Sequence, residues 1–266
     1  MKKINVACFQ LCSSENVEKN IVMIDKMFES IDKKLDLVCL PECAAIFTDS
    51  KKKLDNYSDR WHEKFMNFIK EKAEQNKTHV LVGSIPYRKK NLKFLNRSII
   101  IDSDGIEKDY YDKINLFDVK LSSKEKYLES KNYDSGDSIK VARLPYGKIG
   151  LTICYDIRFP NLYRELAKKG ADFISIPAAF TYTTGLAHWH SLIRARAIEN
   201  GCFVFAPAQV GNHENGRKTY GHSMIVDPWG KVISSATDRK GIIYAKVDLT
   251  LVRKSREKIP SMTSFL

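Results

Sequence analysis

Four apolar runs share one design, and it restricts the fold more than any other feature of the chain. LVCLPE (37–42), IGLTICYD (149–156), DFISIPAAF (172–180) and FVFAPAQ (203–209) each read as a buried strand that stops at a proline or a polar residue. Amphipathic stretches lie between them. Residues 15–34 place Val17, Ile21, Ile24, Met27, Phe28 and Ile31 on one helical face, with Ser13 or Ser14 as N-cap. Residues 58–76, 159–170 and 187–201 read as further helices, with Pro160 in a first turn and Gly170 and Gly201 as stops. Residues 4–11, 79–86 and 97–105 read as strands, and 139–144 with 148–155 as a hairpin about Pro145–Tyr146–Gly147. A last antiparallel pair, 221–236 and 241–248, is expected about Pro228–Trp229–Gly230. Strands alternating with helices, plus hairpins, predict an α/β fold with a mixed sheet and helices packed outside. No repeat or linker interrupts the 266 residues, so one domain over 1–266 is expected. Functional residues concentrate where such strands feed loops.

The net charge of +12 raises nucleic acid as a partner. The lysines argue against it. They are scattered (Lys51–Lys53, Lys89–Lys90, Lys168–Lys169), mixed with acids, and form no basic stripe interleaved with aromatics. Cysteines 8, 12, 39, 43, 154 and 202 include no CxxC pair, so no disulfide framework is expected. The start MKKINVACFQL breaks at Gln10, too early for a signal peptide. No run approaches the roughly 20 apolar residues of a membrane span. These readings predict a cytoplasmic protein with no membrane partner.

Three residues invite chemistry, and each has a bland alternative. Cys154 sits where an apolar run meets charge. A helix starting near residue 159 would favour its thiolate, yet cysteine also fills cores. Glu42 is delivered by LVCLP, and burial would raise its pKa as a general base requires; it is otherwise a surface acid after a turn. Lys113, in KDYYDKINLFDV (108–119), could hold an oxyanion or simply be solvated. His188 and His190 fall at i, i+2 and so do not share a helix face; no further ligands at suitable spacing accompany them, and no metal is expected. A cysteine–histidine pair from Cys154 with His188 or His222 leaves Glu42 and Lys113 unexplained. Trp189 and Trp229 read as packing residues.

Taken in order, LPE (40–42), YDKINLFD (111–118) and GLTICYDIRFP (150–160) resemble the nitrilase, or carbon–nitrogen hydrolase, superfamily. The resemblance runs from VACFQL to DPWGKV. It implies a four-layer α-β-β-α sandwich, at least a homodimer, a small amide substrate and no cofactor. It carries a Glu–Lys–Cys triad onto Glu42, Lys113 and Cys154, with the backbone N–H of Tyr155 assisting Lys113 at the oxyanion. ESKNYDSG (129–136) resembles the segment that supplies a second glutamate, Glu129; Glu125 competes but misses the spacing to Gly136.

The second half, with AFTYTTGLAHW (179–189), RARAIEN (194–200), AQVGNH (208–213) and GRKTYGHS (216–223), is similar to the Nit branch, and within it to deaminated glutathione amidases. The sister omega-amidases, acting on 2-oxoglutaramate, usually carry A-F-N at 179–181. A catalytically silent scaffold is the reading of another class, and the intact triad argues against it. A substrate bearing carboxylates makes Arg158, Arg217, Thr181 and Thr184 candidate binders. Arg158 could equally be an interior ion-pair partner, and the threonines could hold their loop by local bonds. Three positions depart from the family's pattern: Asn115 for a histidine, Asn161 for a glutamate and His190 for a glutamate. Asp156 suggests a structural role that the sequence does not place.

Overall fold

Alternation along the first strand shows how the layers are built. The computed structural model describes residues 3–88, 93–123 and 125–261; Lys89 and Lys90 lie outside the described residues, as do Met1 and Lys2. Strand β1 (Lys3–Gln10) sends Ile4, Val6 and Cys8 to one core and Ala7 and Phe9 to another, as the two-residue period of a strand requires. Helix α1 (Val17–Glu29) precedes β2 (Leu37–Cys39). Helices α2 (Lys51–Asn56) and α3 (His62–Gln75) are joined by a π-helical turn over Tyr57–Trp61. Strands β3 (His79–Arg88), β4 (Phe94–Ile101) and β5 (Glu107–Asp112) follow. A ribbon of β6 (Asp118–Lys120) and β7 (Lys126–Leu128) leads to the hairpin β8 (Lys140–Leu144) and β9 (Gly147–Leu151). Then come α4 (Pro160–Lys168), β10 (Phe173–Ser175), α5 (Tyr182–Asn200) and β11 (Phe203–Ala206). The chain continues through β12 (Val210–Asn212), β13 (Lys218–Tyr220), β14 (Met224–Val226), β15 (Val232–Ser235), β16 (Gly241–Asp248) and α6 (Thr250–Lys258).

Two six-stranded mixed sheets result, in the orders β16-β1-β2-β3-β4-β5 and β15-β14-β11-β10-β9-β8. β1, β2 and β3 run parallel, as do β9, β10 and β11. Leu37, Cys39, Leu81 and Ile100 of the first sheet share a core with Ile149, Leu151 and Phe205 of the second. The first sheet's other face, with Val38, Val80 and Val82, packs under Ile24 and Phe28 of α1 and Phe65 and Ile69 of α3. Leu166 of α4 and Trp189 and Ile193 of α5 cover the second sheet. The layers are therefore α-β-β-α. Central strands β2, β10, β11 and β14 are buried at every position, which explains why they read as unbroken apolar runs.

Several expected boundaries move. Asn16, not Ser13 or Ser14, caps α1, its side chain accepting from the Lys19 N–H at 3.1 Å. The strand predicted over 37–42 shrinks to 37–39. The helix predicted over 58–76 begins earlier, inside a helical stretch interrupted by the π turn. The expected last pair is split: β14 and β15 form the hairpin about residues 228–230, while β16 crosses to the other sheet and lies antiparallel to β1. Trp189 is buried, but Trp229 is 57% exposed at that hairpin's tip and does not pack as expected. Among the described residues no helix is long and apolar enough to cross a membrane.

Candidate active site

Glu42 reaches the interior because the chain beyond β2 is held against β3. Leu40 donates to the Leu81 carbonyl at 2.9 Å, and Cys43 and Ala44 donate to the Ser84 hydroxyl and carbonyl at 3.0 Å each. Gly83 makes this approach feasible, since a Cβ there would lie 2.0 Å from the Leu40 oxygen. Gln209 adds a side-chain N–H to the Glu42 carbonyl at 2.9 Å. Lys113 follows the end of β5, its N–H on the Asn96 carbonyl at 2.9 Å. Glu129 opens a short 3-10 turn after β7, and its Oε2 accepts the Phe117 N–H at 2.6 Å.

Cys154 is not a strand end. β9 stops at Leu151, and Cys154 begins a 3-10 turn over Cys154–Arg158 with φ +48°. That left-handed conformation costs a residue with a Cβ roughly 1–3 kcal/mol and persists where surroundings over-determine it. The Cys154 N–H donates to Pro177 O at 2.9 Å. The amide of Tyr155 comes next in the same turn, and the Tyr155 ring packs 5.1 Å from Phe117 and 5.5 Å from Phe159.

These elements bring four expected residues together. Lys113, 1% exposed, donates to Glu42 Oε1 at 2.9 Å and to Glu129 Oε2 and Oε1 at 2.8 and 3.1 Å. Glu42, 4% exposed, takes the Ala179 N–H on Oε2 at 2.7 Å and stands beside the Cys154 thiol. Asn96, which the sequence reading missed, bridges the two carboxylates, donating to Glu42 Oε1 and Glu129 Oε1 at 3.0 Å each. Glu125 instead accepts from Tyr127 and Thr183 at 3.0 and 3.4 Å and does not line the cavity.

The charges differ from expectation in two ways. Burial pushes the Glu42 carboxyl up, but the Lys113 ammonium and the hydrogen bonds from Lys113, Cys154 and Ala179 outweigh it, and its pKa is lowered. Burial pulls Lys113 down, yet Glu129 and Glu42 hold it well above the ordinary lysine value. For Cys154, burial and then the Glu42 carboxylate push the thiol well up, against the pull of Lys113. The resting site is a carboxylate, an ammonium and a neutral thiol. The expected raised carboxyl is corrected by the Lys113 ammonium, and the expected helix-favoured thiolate by burial and the Glu42 carboxylate.

Cys154, Glu42, Lys113 and Glu129 line one cavity of about 220 Å³. Arg217 lines it too, with the exposed Lys126 and Lys131. The Arg217 guanidinium lies 4.7 Å over Phe47 and 4.9 Å over Tyr127. Its nearest carboxylate is Asp49 at 3.9 Å, itself 67% exposed, and its buried Nε has no acceptor among the described residues. The other candidate binders are not brought to the cavity. Arg158 turns to His188 Nδ1 at 3.3 Å and over the Phe180 ring. Thr181 and Thr184 bond each other at 2.7 Å, buried at the start of α5. His190 and His222 pack with Tyr220 and do not line the cavity that holds Cys154.

Residues 5–257 match the carbon–nitrogen hydrolase family model. The chain is 39% identical to the deaminated glutathione amidase of Yersinia enterocolitica, over 98% of this chain and 92% of that one. It superposes on the C. elegans NitFhit protein with TM-score 0.94 and 37% identity, covering 99% of this chain and 65% of that longer one. It also superposes on Saccharomyces cerevisiae Nit3, a member of branch 10 of the nitrilase superfamily, with TM-score 0.83 and 33% identity, over 97% and 95% of the two chains.

Proposed function

The chain belongs to the carbon–nitrogen hydrolase family, and we propose that it hydrolyses deaminated glutathione to 2-oxoglutarate and cysteinylglycine through a thioester on Cys154. The observation that carries this reading is the convergence of Glu42, Lys113, Glu129 and Cys154 on one cavity whose further cations have few acceptors. Arg217, with an unpaired buried Nε–H, suits a substrate carboxylate, and Lys126 and Lys131 add positive charge at the mouth. The relative from Yersinia enterocolitica carries that activity in its name.

The chemistry follows from the resting charges. As Cys154 Sγ attacks the amide carbonyl, its proton passes to the neighbouring Glu42 carboxylate. A neutral thiol held beside a carboxylate needs no pre-formed thiolate. The tetrahedral oxyanion is held by Lys113 Nζ and the backbone N–H of Tyr155. The longest of the three Lys113 contacts, 3.1 Å to Glu129 Oε1, is the one the oxyanion replaces, since Asn96 also serves that oxygen. Glu42 returns the proton to the departing amine nitrogen as the C–N bond breaks. Water then attacks the thioester, giving one proton to Glu42, assisted by Glu129, and the carboxylic acid leaves with the thiol restored.

The same proposal has the chain act as one cytoplasmic domain in a homodimer or larger homo-oligomer. Six free cysteines suit a reducing compartment, and Tyr182, Leu186 and Ile198, exposed along α5, suit an interface; light scattering tests the latter. The functional test assays deaminated glutathione and 2-oxoglutaramate side by side. A higher kcat/KM on deaminated glutathione is expected, and a clear preference for 2-oxoglutaramate overturns the substrate in favour of an omega-amidase.

A further inference from the structure

We infer that Asp156 is a positioning residue whose carboxylate clasps the segment carrying Lys113 to the turn carrying Cys154; this rests on the triad reading above. Asp156 is fully buried within the 3-10 turn that Cys154 opens. Its Oδ1 accepts from the Asn115 backbone N–H at 3.0 Å and the Asn115 side-chain amide at 2.8 Å. Its Oδ2 accepts from the Tyr111 hydroxyl at 2.9 Å and the Ile153 N–H at 2.9 Å. Tyr111 and Asn115 stand two residues either side of Lys113, and Ile153 immediately precedes Cys154. The Tyr111 oxygen in turn accepts the Ile114 N–H at 3.2 Å, tying the 111–115 segment to itself.

Two consequences follow. The bond from Ile153 to Asp156 closes a ring around Cys154 and opposes relaxation of its left-handed backbone. The bonds from Tyr111 and Asn115 join the ammonium's segment to that ring. Apolar packing could bury both segments, but only directional bonds to one carboxylate set their mutual distance. Asp156 makes no hydrogen bond to Lys113 or Cys154, so it acts through their backbones. The departure at Asn115 has a place here, because its side-chain amide is one of the donors.

Tyr111→Phe removes one donor while keeping the ring in its core position. Asn115→Leu removes another, and Asn115→His restores an N–H. Asp156→Asn turns a pure acceptor toward a set of donors. Each is purified and compared with the native protein and Cys154→Ala in kcat, KM and melting temperature, with kcat normalised to folded protein. Hydrogen bonds to charged groups translate to about a 10- to 100-fold loss of kcat for Tyr111→Phe and Asn115→Leu. KM is expected to change by less than about threefold, since the clasp touches no substrate. Asn115→His is expected to recover most of the Asn115→Leu loss. Should Asp156→Asn fail to fold, Tyr111→Phe and Asn115→Leu decide. Unchanged kcat in those two, beside an inactive Cys154→Ala, overturns the clasp and leaves the triad standing. A loss confined to KM also overturns the clasp. An active Cys154→Ala overturns the triad reading itself.

Discussion

Replacing Lys113 by methionine isolates what holds the buried charges together. Glu42 would lose its 2.9 Å partner, and Glu129 its contacts at 2.8 and 3.1 Å. Glu129 keeps some access to water, with its side chain 14% exposed, whereas the Glu42 side chain is 6% exposed and has little. Breaking a buried pair from one side costs about 3–5 kcal/mol. At roughly 2–4 °C per kcal/mol for a chain of this size, the melting temperature should fall by about 6–20 °C at pH 8. The sign with pH is specific. In the native protein Glu42 has a lowered pKa, so its contribution is present above the unfolded value of about 4.3 and is lost as pH falls through the folded one. Without Lys113, burial raises that folded pKa. The contribution is then complete below the unfolded value and lost as pH rises through the folded one. The deficit of Lys113→Met should therefore be large at pH 8 and narrow toward pH 5. Urea denaturation of both proteins at the two pH values measures it. Adding Glu42→Gln to the variant should recover part of the loss at pH 8. A variant as stable as the native protein at pH 8, or a deficit that widens toward acid, refutes mutual charging of Lys113 and Glu42 at rest.

The pH profile of kcat/KM should be flat from about 6 to 8, because the active form needs Glu42 ionised and Cys154 and Lys113 protonated. Its acid limb should lie below the ordinary glutamate value of about 4.3 and its alkaline limb above the ordinary thiol value of about 8.5; an acid limb near neutrality would contradict the lowered Glu42. Arg217→Met should raise KM for a carboxylate-bearing amide by about 10- to 100-fold while leaving KM for an uncharged short amide unchanged; equal effects on both would remove Arg217 from carboxylate recognition. Gly83→Ala should destabilise severely, because its Cβ meets the Leu40 oxygen at 2.0 Å and the Pro41 carbonyl at 2.5 Å, with chemical denaturation as the readout and an unaltered midpoint as the contrary result.

Mixed α/β structure with helices outside was legible because the central strands are buried on both faces and so read as unbroken apolar runs; the four-layer order followed only from the family resemblance. The pairing of β16 with β1 was not, since its register joins Lys3 to Asp248 across the whole chain and no local pattern encodes it. Glu42, Lys113, Glu129 and Cys154 could be singled out because each stands in a recognisable local segment. Their charge states could not. A glutamate entering an apolar interior reads as raised, and only the ammonium at 2.9 Å reverses the sign. Asn96 was missed because it stands just before the strand read over 97–105, and its amide matters only through two carboxylates 54 and 33 residues away. Arg158, Thr181 and Thr184 were proposed on chemistry alone. Residue type does not say that Arg158 faces His188 or that the two threonines satisfy one another. Asp156 had no sequence explanation, because three of its four bonds come from residues 111 and 115.

The proposed chemistry turns on the thioester on Cys154. Quenching the enzyme with acid during turnover of deaminated glutathione, followed by mass spectrometry of the intact and digested protein, tests it directly. A 2-oxoglutaryl adduct is expected on the peptide containing Cys154, gone after substrate is exhausted and never formed by Cys154→Ala, which should not turn over. An adduct on another residue, or undiminished hydrolysis by Cys154→Ala, would contradict it.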